Sequence, residues 1–145
     1  EPSVEFDMLA LVSDVAASCR HESVSIDADG ETAIAFRGRV EALRRALSNV
    51  VGNALRFGDE CRMSVTENDF AVRVLVDDNG PGIPKEHRGD VFRPFMRIDP
   101  SRNKSTGGAG LGLTIARDIA LSHGGTLEVD SSPLGGARLI FNFPR

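Results

Sequence analysis

Residues 39–58 read RVEALRRALSNVVGNALRFG, and their apolar side chains recur every three or four positions. This spacing follows the 3.6-residue period of an α-helix and would bring the apolar side chains to one face. The residues of that predicted stripe are Val40, Leu43, Leu47, Val50, Ala54 and Phe57. Gly58 follows at a position where helices commonly end. The stretch therefore predicts a long amphipathic helix over residues 39–57.

Two more helices and six strands are predicted around this helix. Residues 6–19 show helical spacing with Asp7 as the N-cap, and residues 113–123 do so up to the Gly124-Gly125 pair. Short apolar or alternating runs predict strands at residues 24–26, 33–36, 63–66, 70–76, 126–129 and 137–143.

The order of these elements favours an α+β fold, a two-layer sandwich with three long helices on one face of a mixed, mostly antiparallel sheet. The first two strands would flank a turn at Asp29-Gly30. In the strand at residues 70–76, Phe70 and the alternating valines are expected to face one way and Arg73 the other, and residues 77–84 are expected to be irregular. A doubly wound parallel sheet fits less well, because several strand pairs lack a helical crossover.

Length and composition exclude several classes of protein. The chain has 145 residues and a mass of 15.6 kDa, the size of one domain, and it contains no apolar run of about 18 residues that would predict a membrane span. A net charge of −4 and the lack of Trp and Tyr argue against a general nucleic-acid or anionic-membrane binder. Cys19 and Cys61 have no metal-ligand spacing and are expected to be free thiols rather than a disulfide.

Three polar side chains lie along one line of the predicted central helix. Asn49 and Asn53 are one turn apart, and Arg56 follows three residues later. Asparagine is a poor helix former, so two of them in mid-helix need a reason. One reason is a solvated face without a further role. The other is a site in which an amide oxygen ligates Mg²⁺ and Arg56 reaches a phosphate.

A second group of polar residues, Asp78-Asn79-Gly80-Pro81-Gly82, follows a predicted strand. All of these residue types are common in tight turns, and a turn is one interpretation. The alternative is that the Asp78 carboxylate accepts a hydrogen bond from an exocyclic amine, such as that of adenine. Gly80 and Gly82 would then let the backbone pass close to a planar ring.

A glycine-rich stretch, GGAGLGL at residues 107–113, precedes the last predicted helix. Its backbone N–H groups and the helix N-terminus suit phosphate, although a merely flexible loop has the same composition. Residues 93–106 before it hold four basic residues and one acidic residue, a local net charge of +3 in an acidic chain. They form either a solvated loop or a lid over a polyanion, with Phe92 and Phe95 at its base.

Together these segments resemble the ATP-binding catalytic domain of bacterial sensor histidine kinases, in the Bergerat-fold ATPase superfamily. Residues 47–57 resemble the N box, residues 78–83 the G1 box, residues 92–95 the F box and residues 108–113 the G2 box. The order and spacing match over essentially the whole chain. The osmosensor-like subgroup is the most similar.

The resemblance implies roles for the matching residues. The implied nucleotide-binding residues are Asn49, Asn53, Arg56, Phe57, Asp78, Gly80, Gly82, Ile83, Arg97, Gly108, Ala109, Gly110, Leu111, Gly112 and Leu113. Among them, Asp78 would bind the adenine amine and Asn53 would ligate Mg²⁺. Asn49, Arg56 and Arg97 would act near the phosphates as the catalytic residues. Ala109 and Phe57 stand where the family more often has a hydroxyl-bearing residue.

The resemblance also implies a function. The domain, residues 1–145, would bind Mg-ATP and donate the γ-phosphate to a histidine on a separate dimerisation domain, for onward transfer to a response regulator. ATP-hydrolysing relatives place a Glu where this chain has Asn49, and a neutral amide cannot deprotonate water. The implied whole protein is a homodimeric kinase of the inner membrane, with this domain in the cytoplasm and the acceptor domain upstream of Glu1.

His21, His87 and His123 lack the sequence context of the family's acceptor histidine. The domain alone is therefore expected to bind ATP and Mg²⁺ without labelling itself. The alternative function is a regulatory binding module, of the anti-sigma type or a degenerate nucleotide sensor, that controls a partner by ATP-dependent contact.

Overall fold

The computed structural model describes residues 1–19, 24–27, 32–93 and 112–145. These residues include the α-helices α1 (Met8–Ser18), α2 (Val40–Phe57) and α3 (Gly112–Ser122). None of the described helices is long and apolar enough to span a bilayer. The strands are β1 (Val4–Asp7), β2 (Val24–Asp27), β3 (Ala35–Gly38), β4 (Cys61–Glu67), β5 (Ala71–Asp78), β6 (Thr126–Ser131) and β7 (Ala137–Pro144). Short 3₁₀ helices at Lys85–His87 and Asp90–Phe92 follow β5.

The main sheet has the strand order β2-β4-β5-β7-β6. β2 and β4 run parallel and the other neighbours run antiparallel, while β1 and β3 form a separate antiparallel pair. The helices pack against this sheet and share one core with it. Val72, Val74 and Val76 of β5 are fully buried in that core, whereas Arg73 between them is exposed. The predicted α+β sandwich with a mixed, mostly antiparallel sheet is confirmed.

The central strand β5 extends further than predicted. Asp77 and Asp78 continue the antiparallel ladder opposite Arg62 and Cys61 of β4, so the expectation that residues 77–84 are all irregular is wrong at its start. The neighbouring strands reach this far and supply hydrogen-bonding partners, which is why the ladder does not stop at Val76. Asp78 is therefore the last residue of a central strand.

Phe70 does not share the buried face of the valines of β5, contrary to its predicted orientation. Its side chain is 80% exposed. Asn68 Oδ1 accepts hydrogen bonds from the N–H groups of Phe70 at 2.8 Å and Ala71 at 2.9 Å. This turn takes Phe70 out of the strand, and β5 begins at Ala71.

Two further predictions, both for the N-terminal part of the chain, are wrong. Phe6 lies in β1, so the helix predicted from residue 6 begins instead at Met8. Asp7 is its N-cap as predicted, because Oδ1 accepts hydrogen bonds from the N–H groups of Leu9 at 3.0 Å and Ile34 at 2.9 Å. The two strands predicted to flank Asp29-Gly30 pair with other strands rather than with each other, and that turn lies outside the described residues.

Candidate functional site

Asp78 is a buried carboxylate whose position is fixed by backbone N–H groups. Its side chain lies on the face of β5 opposite to that of Asp77, because successive strand residues alternate. Asp78 Oδ1 accepts hydrogen bonds from Gly80 N at 2.9 Å and from Ala137 N at 3.0 Å. Asp77 instead forms a bidentate ion pair with Arg138, at 2.7 and 3.1 Å. The two neighbouring acids therefore have different environments, and only Asp77 has a cationic partner among the described residues.

The environment of Asp78 disfavours its charge. Burial raises the pKa of this carboxyl above its ordinary value, the two backbone hydrogen bonds oppose that rise, and the neighbouring Asp77 adds to it. Cys61 lies directly opposite on β4, and burial, with Asp78 the next largest cause, raises the pKa of its thiol to about 12. Cys19 and Cys61 are both free thiols. A desolvated carboxylate without a cation beside it is typical of a functional site.

The β6–β7 hairpin approaches Asp78 so closely that it leaves no room for a side chain at Gly136. Gly136 N donates a hydrogen bond to Asp78 O at 3.1 Å. A Cβ atom on Gly136 would overlap Asp78 Oδ1 and would lie 2.6 Å from Asp78 O and from Gly80 N. Sequence reasoning missed Gly136 and Ala137 as site residues. The signal available was the Gly135-Gly136 pair just before a strand, which can mark a close backbone approach.

The segment after Asp78 turns sharply away from the strand. Gly82 has a φ of +78°, a left-handed conformation that glycine adopts without strain. Ile83 is half-buried beside the core, and its carbonyl oxygen accepts a hydrogen bond from Arg88 Nε at 3.0 Å. Gly80, Gly82 and Ile83 thus follow Asp78 directly in this turn, and their predicted contact with a nucleotide stays a prediction.

The polar line on α2 lies between the two other predicted parts of the site. Asn49, Asn53 and Arg56 are all half-buried. Asn49 Nδ2 donates a hydrogen bond to Gly112 O at 3.3 Å, at the start of α3. Asn53 and Arg56 form no hydrogen bond or ion pair with any residue in the described ranges, so their polar groups are available to a ligand. Phe57 ends the helix and is half-buried.

The N-terminus of α3 is the third predicted part of the site. Gly112 is its first residue, and Leu113 is buried in the core, so only the backbone of Leu113 could contact a ligand. Thr114 Oγ1 donates a hydrogen bond to Phe92 O at 2.6 Å. Phe92 is buried, and the guanidinium of Arg117 lies 5.3 Å from the centre of its ring. Arg97 and the residues Gly108, Ala109, Gly110 and Leu111, as well as Phe95, lie outside the described residues.

The arrangement suits a ligand with a base at one end and phosphates at the other. The described residues contain no group of three or more His, Cys, Asp or Glu side chains that could hold a metal ion. A divalent cation here would need neutral oxygens such as that of Asn53, together with oxygens of the ligand itself. Mg²⁺ is commonly bound in this way, by few protein ligands and by phosphate oxygens, so the donor set fits.

Comparison with known proteins shows that this chain belongs to a known family of domains. Residues 38–145 match the family model described as histidine kinase-, DNA gyrase B-, and HSP90-like ATPase. The chain is 47% identical over 103 residues to the sensor protein RstB of Escherichia coli strain K12. It is 40% identical over 108 residues to the sensor histidine kinase CpxA of the same strain. These alignments cover 70% and 74% of this chain but 24% of each relative, so the chain spans about a quarter of the length of the curated relatives it matches.

Solved structures share the whole fold. The ATP binding domain of PrrB from Mycobacterium tuberculosis is 28% identical with a TM-score of 0.79, over 99% of this chain and 98% of that one. The catalytic domain of the histidine kinase ThkA, in a nucleotide-free form, is 25% identical with a TM-score of 0.85, over 99% and 96% of the two chains. Full-length ShkA, in complex with AMPPNP, is 28% identical with a TM-score of 0.79, and the match covers 99% of this chain and 31% of ShkA.

Proposed function

Because the chain belongs to the histidine kinase-, DNA gyrase B-, and HSP90-like ATPase family, as the ATP-binding catalytic domain of a sensor histidine kinase, we propose that it binds Mg-ATP and donates the γ-phosphate to a histidine. That histidine belongs to a separate dimerisation and phosphotransfer domain of the same protein. A response regulator receives the phosphate next. The full protein is then a homodimer in the inner membrane, with this domain in the cytoplasm.

The geometry of Asp78 is the observation that carries the proposal. Two backbone N–H groups hold Oδ1, and the described residues donate no hydrogen bond to Oδ2. Oδ2 can therefore accept a hydrogen bond from the 6-amino group of adenine. Gly82, with a φ of +78°, lets the backbone turn away from the strand just after the carboxylate, where the flat base would lie.

The phosphate end is formed by α2 and the start of α3. Asn53 is the proposed Mg²⁺ ligand, and the cation would neutralise charge on the phosphate oxygens. Arg56 and Arg97 stabilise negative charge at the transferring group, and Gly108, Ala109, Gly110, Leu111, Gly112 and Leu113 contact the phosphates through backbone N–H groups. A neutral imidazole nitrogen attacks the γ-phosphorus in line, the bond from that phosphorus to the β–γ bridging oxygen breaks, and ADP leaves with the electron pair.

Asn49 favours transfer over hydrolysis. Its amide cannot act as a general base toward water. Its Nδ2 also donates a hydrogen bond to Gly112 O, which a carboxylate at this position could not do. Asn49 thus provides no general base for hydrolysis, and its hydrogen bond joins α2 to the start of α3.

Titration of ATP, with and without Mg²⁺, tests the proposal on the wild-type protein and on two variants. Asp78→Ala should lose affinity for every adenine nucleotide, by about tenfold to a hundredfold, because the base amine loses its acceptor. Asn53→Ala should lose mainly the part of the affinity that depends on Mg²⁺. Binding of ATP that neither substitution changes would contradict the assigned roles.

A further inference from the structure

We propose that Asn79 is a positioning residue that fixes the separation between the base-binding and the phosphate-binding parts of the site. The proposal rests on the proposed ATP-binding function and adds a residue that acts through others. Asn79 follows Asp78, yet its side chain contacts a different element. Its Oδ1 accepts hydrogen bonds from Asp59 N at 2.7 Å and from Glu60 N at 2.9 Å, in the segment between α2 and β4.

The backbone at the end of α2 lies directly against the backbone that follows Asp78. A Cβ atom on Gly58 would lie 2.8 Å from Asn79 Oδ1 and 2.9 Å from Gly80 N, and a Cβ on Gly80 would lie 2.6 Å from Phe57 O. The φ of Gly58 is −129°, which any residue adopts, so glycine is needed there for space and not for a left-handed helix end. Asn79 bonds across the junction that these two glycines make possible.

This junction connects the two ends of the proposed ligand site. On one side, Asn53 and Arg56 lie on the last turns of α2, before Gly58. On the other side, Asp78 Oδ1 is held by Gly80 and Ala137. A ligand that contacts both sides gains full affinity only when its two anchors are already at the correct separation. The Asn79 amide, whose oxygen accepts hydrogen bonds from Asp59 and Glu60 across this junction, therefore presets that separation.

The test compares a ligand that uses both anchors with one that uses only the base anchor. In Asn79→Ala, the Asp59 and Glu60 N–H groups are exposed and can bond to water, so the fold should persist. We expect the affinity for Mg-ATP to fall about tenfold, as for the loss of one to two hydrogen bonds. Adenosine affinity, measured by ligand-observed NMR, should stay within about twofold.

Asn68 provides a matched control at the opposite end of β5. Its Oδ1 also accepts two backbone hydrogen bonds, from Phe70 N and Ala71 N, far along the strand from Asp78. Asn68→Ala removes the same type and number of contacts and should leave both affinities unchanged. Asn79→Asp keeps the acceptor oxygen and should recover most of the Mg-ATP affinity when salt screens its added charge.

The outcomes separate this proposal from the function on which it rests. Equal losses of adenosine and Mg-ATP affinity in Asn79→Ala, or no loss at all, would overturn the role of Asn79 while ATP binding by the wild type stands. An equal loss in Asn68→Ala would also overturn it, because the effect would then be general destabilisation. If the wild-type protein binds neither ligand, the proposed function itself fails, and the role of Asn79 fails with it.

Discussion

At the scale of single residues, Asp78 is held where burial opposes its charge. The folded protein raises the pKa of this carboxyl above the ordinary value of 3.8, so the folded state binds the proton more tightly than the unfolded chain. For such a group, stability falls as the pH rises from about 3.8 through the raised pKa, and the loss is complete above it. At neutral pH the charge that is proposed to bind adenine therefore lowers the free energy of unfolding.

Asp78→Asn should separate stability from binding. The amide oxygen can still accept hydrogen bonds from Gly80 and Ala137, and the side chain carries no charge. We expect an unfolding midpoint in urea at pH 7 equal to or above that of the wild type, with the difference shrinking toward pH 4. ATP affinity should fall about tenfold to a hundredfold, because an amide N–H₂ now faces the base amine. A variant that is clearly less stable at pH 7 would contradict this account of Asp78.

The sequence was enough to propose the side chains that would bind a ligand, but not the backbone groups that hold Asp78 in place. Asp78, Asn53 and Arg56 can be predicted as ligand-binding residues because carboxylate, amide and guanidinium groups suit a base, a cation and a phosphate, and these roles stay predictions. Ala137 and Gly136 act only through backbone atoms and spacing, and the Gly135-Gly136 pair can mark a close backbone approach without indicating which residue it approaches. Their closeness to Asp78 arises from the pairing of β5 with β7, about 60 residues apart in sequence, and no local pattern encodes that pairing.

At the scale of elements, the β6–β7 hairpin sets the position of the carboxylate at the end of β5. Gly136→Ala would force Asp78 or the hairpin to move, because the added Cβ meets atoms at both Asp78 and Gly80. We expect a loss of about 1–3 kcal/mol in the free energy of unfolding, as for other overpacked sites, together with weaker ATP binding.

Gly89→Ala is the matched control for that substitution. Gly89 has a φ of −70°, and an added Cβ would meet no atom within 4 Å. This variant should be unchanged or stabilised by up to about 1 kcal/mol, with ATP binding intact. Chemical denaturation and calorimetric titration of both variants measure the two quantities. Equal stability and equal ATP affinity of the Gly136→Ala variant and the wild type would contradict the close fit.

The helices and strands themselves were largely predictable, and the errors lie at their ends. The 3.6-residue period placed α2 within one residue of its observed start, because the buried stripe extends along the whole helix. The Phe70 prediction failed because Asn68 forms a turn that alternation alone does not reveal. β5 was predicted too short because its last residues are acidic, and only the partner strands keep Asp77 and Asp78 in the ladder.

At the scale of the whole molecule, the strand order shows why Asp78 lies next to both α2 and the β6–β7 hairpin. β5 is the middle strand of the five-stranded sheet, so its end lies between α2 and the β6–β7 hairpin. The α+β class was predictable from the order of elements. The parallel pairing of β2 with β4 was not, because it depends on a contact between distant strands that local turn signals do not predict.

Calorimetric titration of the wild-type protein with ATP and with GTP, both in the presence of Mg²⁺, measures whether Asp78 selects the base. Adenine presents a hydrogen-bond donor where guanine presents an acceptor, and an ionised carboxylate can only accept. We predict saturable binding of ATP at one site, with affinity for GTP at least about tenfold weaker, the difference that one such hydrogen bond to a buried group supplies. Equal affinities for the two nucleotides, or no heat from ATP at millimolar concentration, would contradict the assignment of the Asp78 site to adenine nucleotides.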